Sequence, residues 1–350
     1  MKTAVGFGPV NDDWEQAASW VLEAEKLGVD FAFSGEAWGY DAATSLAFIA
    51  SRTSRIQIGS GIMQLPARTP ANLAMIAMSL ASISNDRFVL GLGMSGPQVV
   101  EGWYGVRFQP ALTRIRETVA IVRQIARGER LHFKGDMFEF PLPDSEGRAL
   151  KTGAPPREIP IYLATLGQKT LELTGEIADG WIASSFMPDH ADALFQHMAR
   201  GAAKVGKTLA DLDLHGGGVV AFSDDLDKLI TPRKPGFAFE MGAMGSPRHN
   251  FYTRAYKMQG YEEVATKVQS LWLEGKREEA AALIPDDFVI KANLLGTDEM
   301  VKERIRVYRD AGITTIHAAP SGNTFGERLE TLGRFMDLIA EVNGETPAPA

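Results

Sequence analysis

The stretch Arg55-Ile56-Gln57-Ile58-Gly59-Ser60-Gly61-Ile62-Met63-Gln64-Leu65-Pro66-Ala67-Arg68-Thr69-Pro70 decides how this chain is read. Ile56 and Ile58 alternate with Gln57 as in a strand, and the alternation breaks at Gly59-Ser60-Gly61 before Ile62 and Met63. Glycine there frees the backbone for angles and approach distances closed to other residues, as a flat ring pressed against main chain requires. Pro66 and Pro70 then bracket a loop that feeds a helix over residues 71–83. On their own these residues fit an ordinary strand-to-helix turn equally well, so the flanking sequence has to discriminate.

Upstream, residues 3–7 predict a first strand, and Trp14, Ala17, Ala18, Val21 and Leu22 mark one face of a helix ended by Gly28. Residues 30–34 predict a second strand and 42–51 a second helix. Downstream, a fourth strand is expected at 87–91 and a helix at 110–127, with Leu112, Ile115, Val119, Val122 and Ile125 inward. Residues 132–140 predict a hairpin within an insertion over 129–157. Strands at 159–164, 180–184, 212–222 and 313–318 follow, with helices at 168–178 and 190–205 between them. A mostly helical insertion is expected over 224–296. Eight strands alternating with eight helices predict an α/β fold, a (β/α)8 TIM barrel, with insertions after strand four and between strands seven and eight. One barrel domain is expected over 1–344, with a C-terminal tail at 345–350.

Composition narrows the function. Of 350 residues, 45% are hydrophobic and 23% charged, as in a globular protein. The net charge of −8 leaves no basic stripe for nucleic acid. Without cysteine there is no disulfide, thiolate metal site or cysteine nucleophile. No apolar run is long enough to span a bilayer, and Met1-Lys2-Thr3 leads directly into a strand, so a cytoplasmic enzyme is expected.

Barrel chemistry sits at the C-terminal strand ends. Glycine is abundant there, in Gly6-Phe7-Gly8, Gly35, Gly59-Ser60-Gly61, Gly91-Leu92-Gly93-Met94-Ser95-Gly96 and Gly167, with His317 at the end of the last strand. Gly91, Gly93 and Gly96 spell a dinucleotide-binding GxGxxG after a strand, but residues 97–108 read as an aromatic loop rather than a helix, and Glu117 falls within a helix. The glycines are therefore read as room for a cofactor at a barrel rim. Thr165, Leu166, Gly167, Gln168, Lys169 and Thr170 open a helix, where free N–H groups and the helix dipole favour a phosphate. Glu36 ends a strand among small and aromatic residues and is a candidate for proton handling or ring contact. A capping carboxylate paired with a nearby arginine is the plainer reading. Phe7, Trp38, Trp103 and Tyr104 are candidates to wall a substrate pocket. The scattered histidines have no metal-ligand spacing, so no metal is expected.

Three motifs then carry a resemblance. The stretch 59–70, the run Arg87-Phe88-Val89-Leu90-Gly91-Leu92-Gly93-Met94-Ser95-Gly96-Pro97-Gln98-Val99-Val100-Glu101-Gly102-Trp103-Tyr104-Gly105, and Glu176-Ile177-Ala178-Asp179-Gly180-Trp181 resemble the luciferase-like monooxygenase superfamily. They look most like its deazaflavin-dependent branch, which contains methylenetetrahydromethanopterin reductase and the deazaflavin-dependent glucose-6-phosphate dehydrogenase. The resemblance implies coenzyme F420 as cofactor, a non-prolyl cis peptide at Gly61–Ile62 backing its ring, and ring contacts from Glu36, Ser60, Gly61 and Ile62. It matches the strand-four loop to residues 95–99, with Ser95, Gly96, Gln98 and Val99 as contacts, and the phosphate loop to Leu166 through Thr170. Arg68 and Lys169 are candidate partners for the acidic tail.

The activity implied is hydride transfer between the deazaflavin C5 and a small organic substrate. Ala37 stands where the sugar-phosphate dehydrogenases carry a histidine base, which favours a reductase with Glu36 or Glu101 managing the proton. A flavin mononucleotide-dependent monooxygenase and a cofactor-binding barrel without turnover are the alternatives. A homodimer is likewise implied by the resemblance alone. Lys234, Arg248, Phe251, Tyr252 and Arg254 in the helical insertion are candidates to shape the substrate side.

Overall fold

Residues 1–244 and 250–345 are described by a computed structural model of the chain. Eight strands form the barrel: β1 (Lys2–Gly6), β2 (Phe31–Ser34), β3 (Gln57–Ser60), β4 (Phe88–Gly93), β5 (Ile161–Ala164), β6 (Gly180–Ile182), β7 (Asp213–Phe222) and β8 (Thr315–Pro320). Each pairs in parallel with the next, and β8 closes onto β1 with Val5 opposite Ala318. The chain is a closed (β/α)8 barrel, and closure leaves these eight strands without a free edge.

Local chemistry sets the helices. Asp13, Asp41 and Thr69 each accept a hydrogen bond from the backbone N–H three residues on, which starts the helices Trp14–Lys26, Ala42–Ala50 and Pro70–Ile83. Pro70 at the first helical position sacrifices only an N–H that would be unpaired anyway. Gly28, at φ +94°, ends the first helix in a conformation that side-chain-bearing residues avoid. The helix Ala111–Ala126 buries Ile115, Val119, Val122 and Ile125, whereas Leu112, expected inward with them, is partly exposed at the barrel mouth. Glu117 on that helix accepts hydrogen bonds from the N–H groups of Asp136 (2.7 Å) and Phe138 (2.9 Å) and so holds the hairpin Phe133–Lys134/Glu139–Phe140 against the barrel.

Several expectations need correction. Gly91 and Gly93 belong to β4 itself, which runs two residues further than predicted, so the GxGxxG spelling is not a loop. The stretch read as an aromatic loop contains the helix Pro97–Gly102. The helical insertion closes with a short strand, Leu294–Gly296, which adds in parallel to β7. Of the expected tail, Glu345 accepts from Arg306 (2.6 Å), and residues 346–350 lie outside the described residues.

The main apolar core lies between barrel and helices, and the insertion carries a second cluster around Tyr256, Ala265, Val268 and Phe288. Inside the barrel, Ala4, Phe31, Phe33, Val89 and Tyr162 fill the lower layer. Beside them runs a polar column. Asp213 accepts from Tyr162 Oη (2.9 Å), and His215 Nδ1 meets His317 Nε2 at 2.9 Å. His317 was expected at the rim, but its register partners are Ala4 and Gly217, deeper in the barrel. Burial and the neighbouring His215 push its pKa down to about 3.

Candidate active site

The C-terminal ends of β1 to β6 open on one cavity of about 1700 Å³. Side-chain size creates it: Gly61, Gly93, Ala164 and Ser184 stand where larger residues would fill the barrel mouth. A Cβ at Gly93 would lie 2.9 Å from Ile62 Cδ1, and one at Gly91 only 1.8 Å from the Ser60 carbonyl oxygen. Those positions admit glycine alone without rearrangement. The Gly61–Ile62 peptide is cis, and the chain resumes pairing at Met63–Gln64 against Leu92 and Gly93.

Glu36 lies in the cavity wall with its side chain 4% exposed, and its carboxylate is fully subscribed. Arg68 donates through both terminal nitrogens, at 2.7 and 2.6 Å, while the N–H groups of Gln64 (3.1 Å) and Ala42 (3.2 Å) complete the set. This forked pair ties the loop after β2 to the loop after β3. It realises the plainer reading of Glu36 and withdraws Arg68 from the acidic tail for which it was a candidate.

Gln64, not singled out from the sequence, stands between them. The residue lines the cavity, and its Nε2 donates to the Glu36 carbonyl (2.9 Å), which leaves Oε1 buried and without a partner. Such an acceptor is costly unless a ligand donor meets it. Its only sequence signal is its place immediately beyond the glycine break.

Phe7, Trp38, Gly61, Ile62, Ser95, Gly96, Gln98, Val99, Trp103 and the whole run Thr165 to Thr170 line the cavity. Besides Arg68, three candidates on or beside the strand ends do not. Ser60 is fully buried, and its hydroxyl is consumed by the Gly91 carbonyl (2.8 Å) and N–H (2.9 Å). Glu101 is exposed because the helix Pro97–Gly102 turns Gln98, Val99 and Gly102 to the cavity and Glu101 away, where it accepts from the Phe108 N–H (3.3 Å). Tyr104 also stands outside the lining, with its hydroxyl 3.5 Å from the Ala37 carbonyl.

On the β5 side, the helix Gln168–Ile177 begins at Gly167 with no side-chain cap. Thr170 Oγ donates to the Gly167 carbonyl (2.9 Å), and Gln168 and Lys169, which line the cavity, have first-turn N–H groups without a helical acceptor. Thr165 is held by Thr174 (2.7 Å) and by the Trp181 indole, which donates to its carbonyl (3.0 Å). Uncapped donors, the helix dipole and the Lys169 ammonium are the features that favour an anion at such a helix start.

Across the mouth, the insertion helices Lys234–Ala243 and Phe251–Met258 bring Phe239, Tyr252, Lys257 and Met258 to the cavity. Phe251, Tyr252 and Arg254 are therefore placed as expected, whereas Lys234 pairs with Asp286 (2.6 Å) away from the cavity and Arg248 lies outside the described residues. Beneath the two helices, Glu240 receives the Ser185 and Tyr256 hydroxyls, the latter at 3.1 Å, and burial pushes its carboxyl pKa up. No cluster of three or more metal-ligating side chains occurs among the described residues, and none of their helices is long and apolar enough to cross a membrane.

Comparisons with known proteins show the family and the fold. Residues 2–315 match the luciferase-like monooxygenase family. A Mycobacterium tuberculosis protein whose name assigns it to the coenzyme F420-dependent oxidoreductases is 39% identical over 85% of this chain and 88% of its own length. The 5,10-methylenetetrahydromethanopterin reductase of Archaeoglobus fulgidus is 26% identical over 95% and 98% of the two chains. The structure of the coenzyme F420-dependent tetrahydromethanopterin reductase of Methanopyrus kandleri superposes with a TM-score of 0.77 at 22% identity, covering 95% of this chain and 97% of that one.

Proposed function

Since the chain belongs to the luciferase-like monooxygenase family, we propose that it is a coenzyme F420-dependent oxidoreductase that works as a reductase on a small organic substrate. The observation that carries this reading is the uncapped helix start at Gly167–Thr170 opening into the same cavity as the glycine-walled floor at Gly61, Ile62 and Gly93. The two ends suit a flat ring joined to an acidic tail. The orphaned Gln64 Oε1 supplies a third point, an acceptor for a ring N–H. When bound, the coenzyme supplies a two-electron hydride donor or acceptor.

The residues around it bind and orient. Gly61, Ile62 and Gly93 would hold a ring against backbone and the aliphatic Ile62 side chain, the two glycines adding no side chain to the cavity. Gln98, Val99 and Ser95 flank it from the strand-four loop, and Lys169 with the Gln168 and Lys169 N–H groups holds the tail. Glu36 acts as a positioning residue through Arg68, fixing the two loops that frame the ring. Trp38 and Trp103, 60% and 64% exposed at the mouth, are placed to cover a second molecule.

The reductive direction is supported by what the wall lacks. Among the described residues no histidine lines the cavity, and its one carboxylate is neutralised by Arg68, so no base stands ready to take a proton from an alcohol. Hydride addition to an electron-poor alkene or imine takes its proton from water instead. A homodimer and a cytoplasmic location belong to the same reading.

The test is titration of the protein with coenzyme F420 and with flavin mononucleotide, followed by fluorescence quenching, then oxidation of the reduced deazaflavin by alkenes and imines against reduction of F420 by alcohols. Preference for the flavin, or turnover of alcohols alone, overturns the reading.

A further inference from the structure

The cavity is larger than one cofactor needs and carries more positive charge than one phosphate needs. Its volume of about 1700 Å³ exceeds the roughly 300–1,000 Å³ that encloses a drug-sized ligand, so two molecules fit side by side. Among the described residues, the charged ones lining it are Glu36, Lys169, Arg254 and Lys257. Glu36 is cancelled by Arg68. Lys169 and Lys257 therefore bring positive charge to the space on a chain whose net charge is −8, and with no uncompensated carboxylate lining it among the described residues the wall focuses a positive potential.

The cations occupy opposite walls. Lys169 belongs to the helix start after β5. Arg254 and Lys257 lie on the insertion helix Phe251–Met258, whose stripe Phe251, Arg254, Lys257 and Met258 faces the cavity at helical spacing while Thr253, Ala255 and Tyr256 are buried behind it. Lys257 forms no ion pair among the described residues, whereas neighbouring Lys234, on the other insertion helix, is neutralised by Asp286. Around that stripe the wall is apolar, with Phe239, Met244 and Phe251, and Trp103 stands exposed at the mouth.

We infer that the half of the cavity under the insertion helices binds a bulky, largely apolar substrate bearing an anionic group, and that Lys257 docks that group. This rests on the cofactor reading above, which assigns the Lys169 wall to the coenzyme. Lys257 sets affinity for the substrate and takes no part in hydride or proton transfer.

Calorimetric titration of the F420-loaded protein with naphthalene-2-sulfonate and the neutral naphthalene-2-sulfonamide tests this. The sulfonate is expected to bind about tenfold more tightly, as one charge-assisted contact provides. Lys257→Met removes that preference while F420 affinity holds, Lys257→Arg restores it, and Lys169→Met weakens F420 while the preference persists at saturating coenzyme. Equal affinity for the two probes overturns the inference, as does a preference that survives Lys257→Met or a sulfonate that displaces F420. If F420 fails to bind but the Lys257-dependent preference persists in the free protein, the cofactor reading falls and the anion site stands.

Discussion

Replacing Glu36 by glutamine keeps the shape of the side chain and removes two of its four acceptor sites. The carboxylate accepts from both terminal nitrogens of Arg68 and from the Ala42 and Gln64 N–H groups. A carboxamide oxygen accepts two of these, and its NH₂ faces the other two donors. Arg68, with its side chain only 13% exposed, is left as a largely buried cation without its directly bonded counter-charge, with only the more distant Asp41 carboxylate remaining. Breaking such a pair costs about 3–5 kcal/mol. At the usual unfolding entropy per residue, a chain of this length loses about 1.4 °C of Tm per kcal/mol, so Glu36→Gln should melt about 4–7 °C lower.

Calorimetry gives the Tm, and F420 fluorescence quenching gives the coenzyme affinity of the same samples. Both should fall, because the loops that frame the cavity lose their tie. Adding Arg68→Met should recover about 2 kcal/mol or more relative to the sum of the single changes, since the stranded charge goes with its partner. A Glu36→Gln protein that melts within about 1 °C of the parent and binds F420 normally, yet turns over a hundredfold more slowly, refutes the positioning role and returns Glu36 to the chemistry.

Two further predictions concern the buried titratable groups. The fold keeps His317 neutral down to about pH 3, whereas the unfolded chain protonates it near its ordinary value of 6.5. Its contribution is therefore present above pH 6.5 and lost as pH falls between those values, by about 1.4 kcal/mol per pH unit. Denaturant titrations of His317→Gln and the parent from pH 7.5 to 5 should show the parent losing more stability, and parallel losses would mean that His317 titrates normally. Glu240 has the opposite sign: its folded pKa lies above the unfolded 4.5, so stability is full below that value and is lost as pH rises through the folded one. Glu240→Gln keeps acceptor and donor atoms for Ser185 and Tyr256 but has no charge to bury, so melting curves should show it gaining on the parent from pH 4.5 to 8; a gain that does not grow with pH would contradict a buried neutral acid.

The sequence by itself determined the barrel, because strand–helix alternation repeated eight times is a local property that each segment carries in its own periodicity. Ile56-Gln57-Ile58 read as a strand, and Asp13, Asp41 and Thr69 start helices from their own neighbourhoods. Positions needed for backbone approach were also legible, since Gly61, Gly93 and Gly167 announce themselves by residue type. Partnership was not legible. Glu36 and Arg68 are 32 residues apart, and only the juxtaposition of the loops after β2 and β3 turns a candidate acid into half of an ion pair. Gln64 became a site residue because one of its two polar atoms was claimed by the Glu36 carbonyl and the other was not. Glu101 lost its place through the turn of a single short helix, and Lys257 gained one because the insertion folds back over the mouth. Residue type and period are written along the chain, but which charges meet, which hydroxyls are spent and which face of a helix looks into the cavity are settled only when distant segments pack.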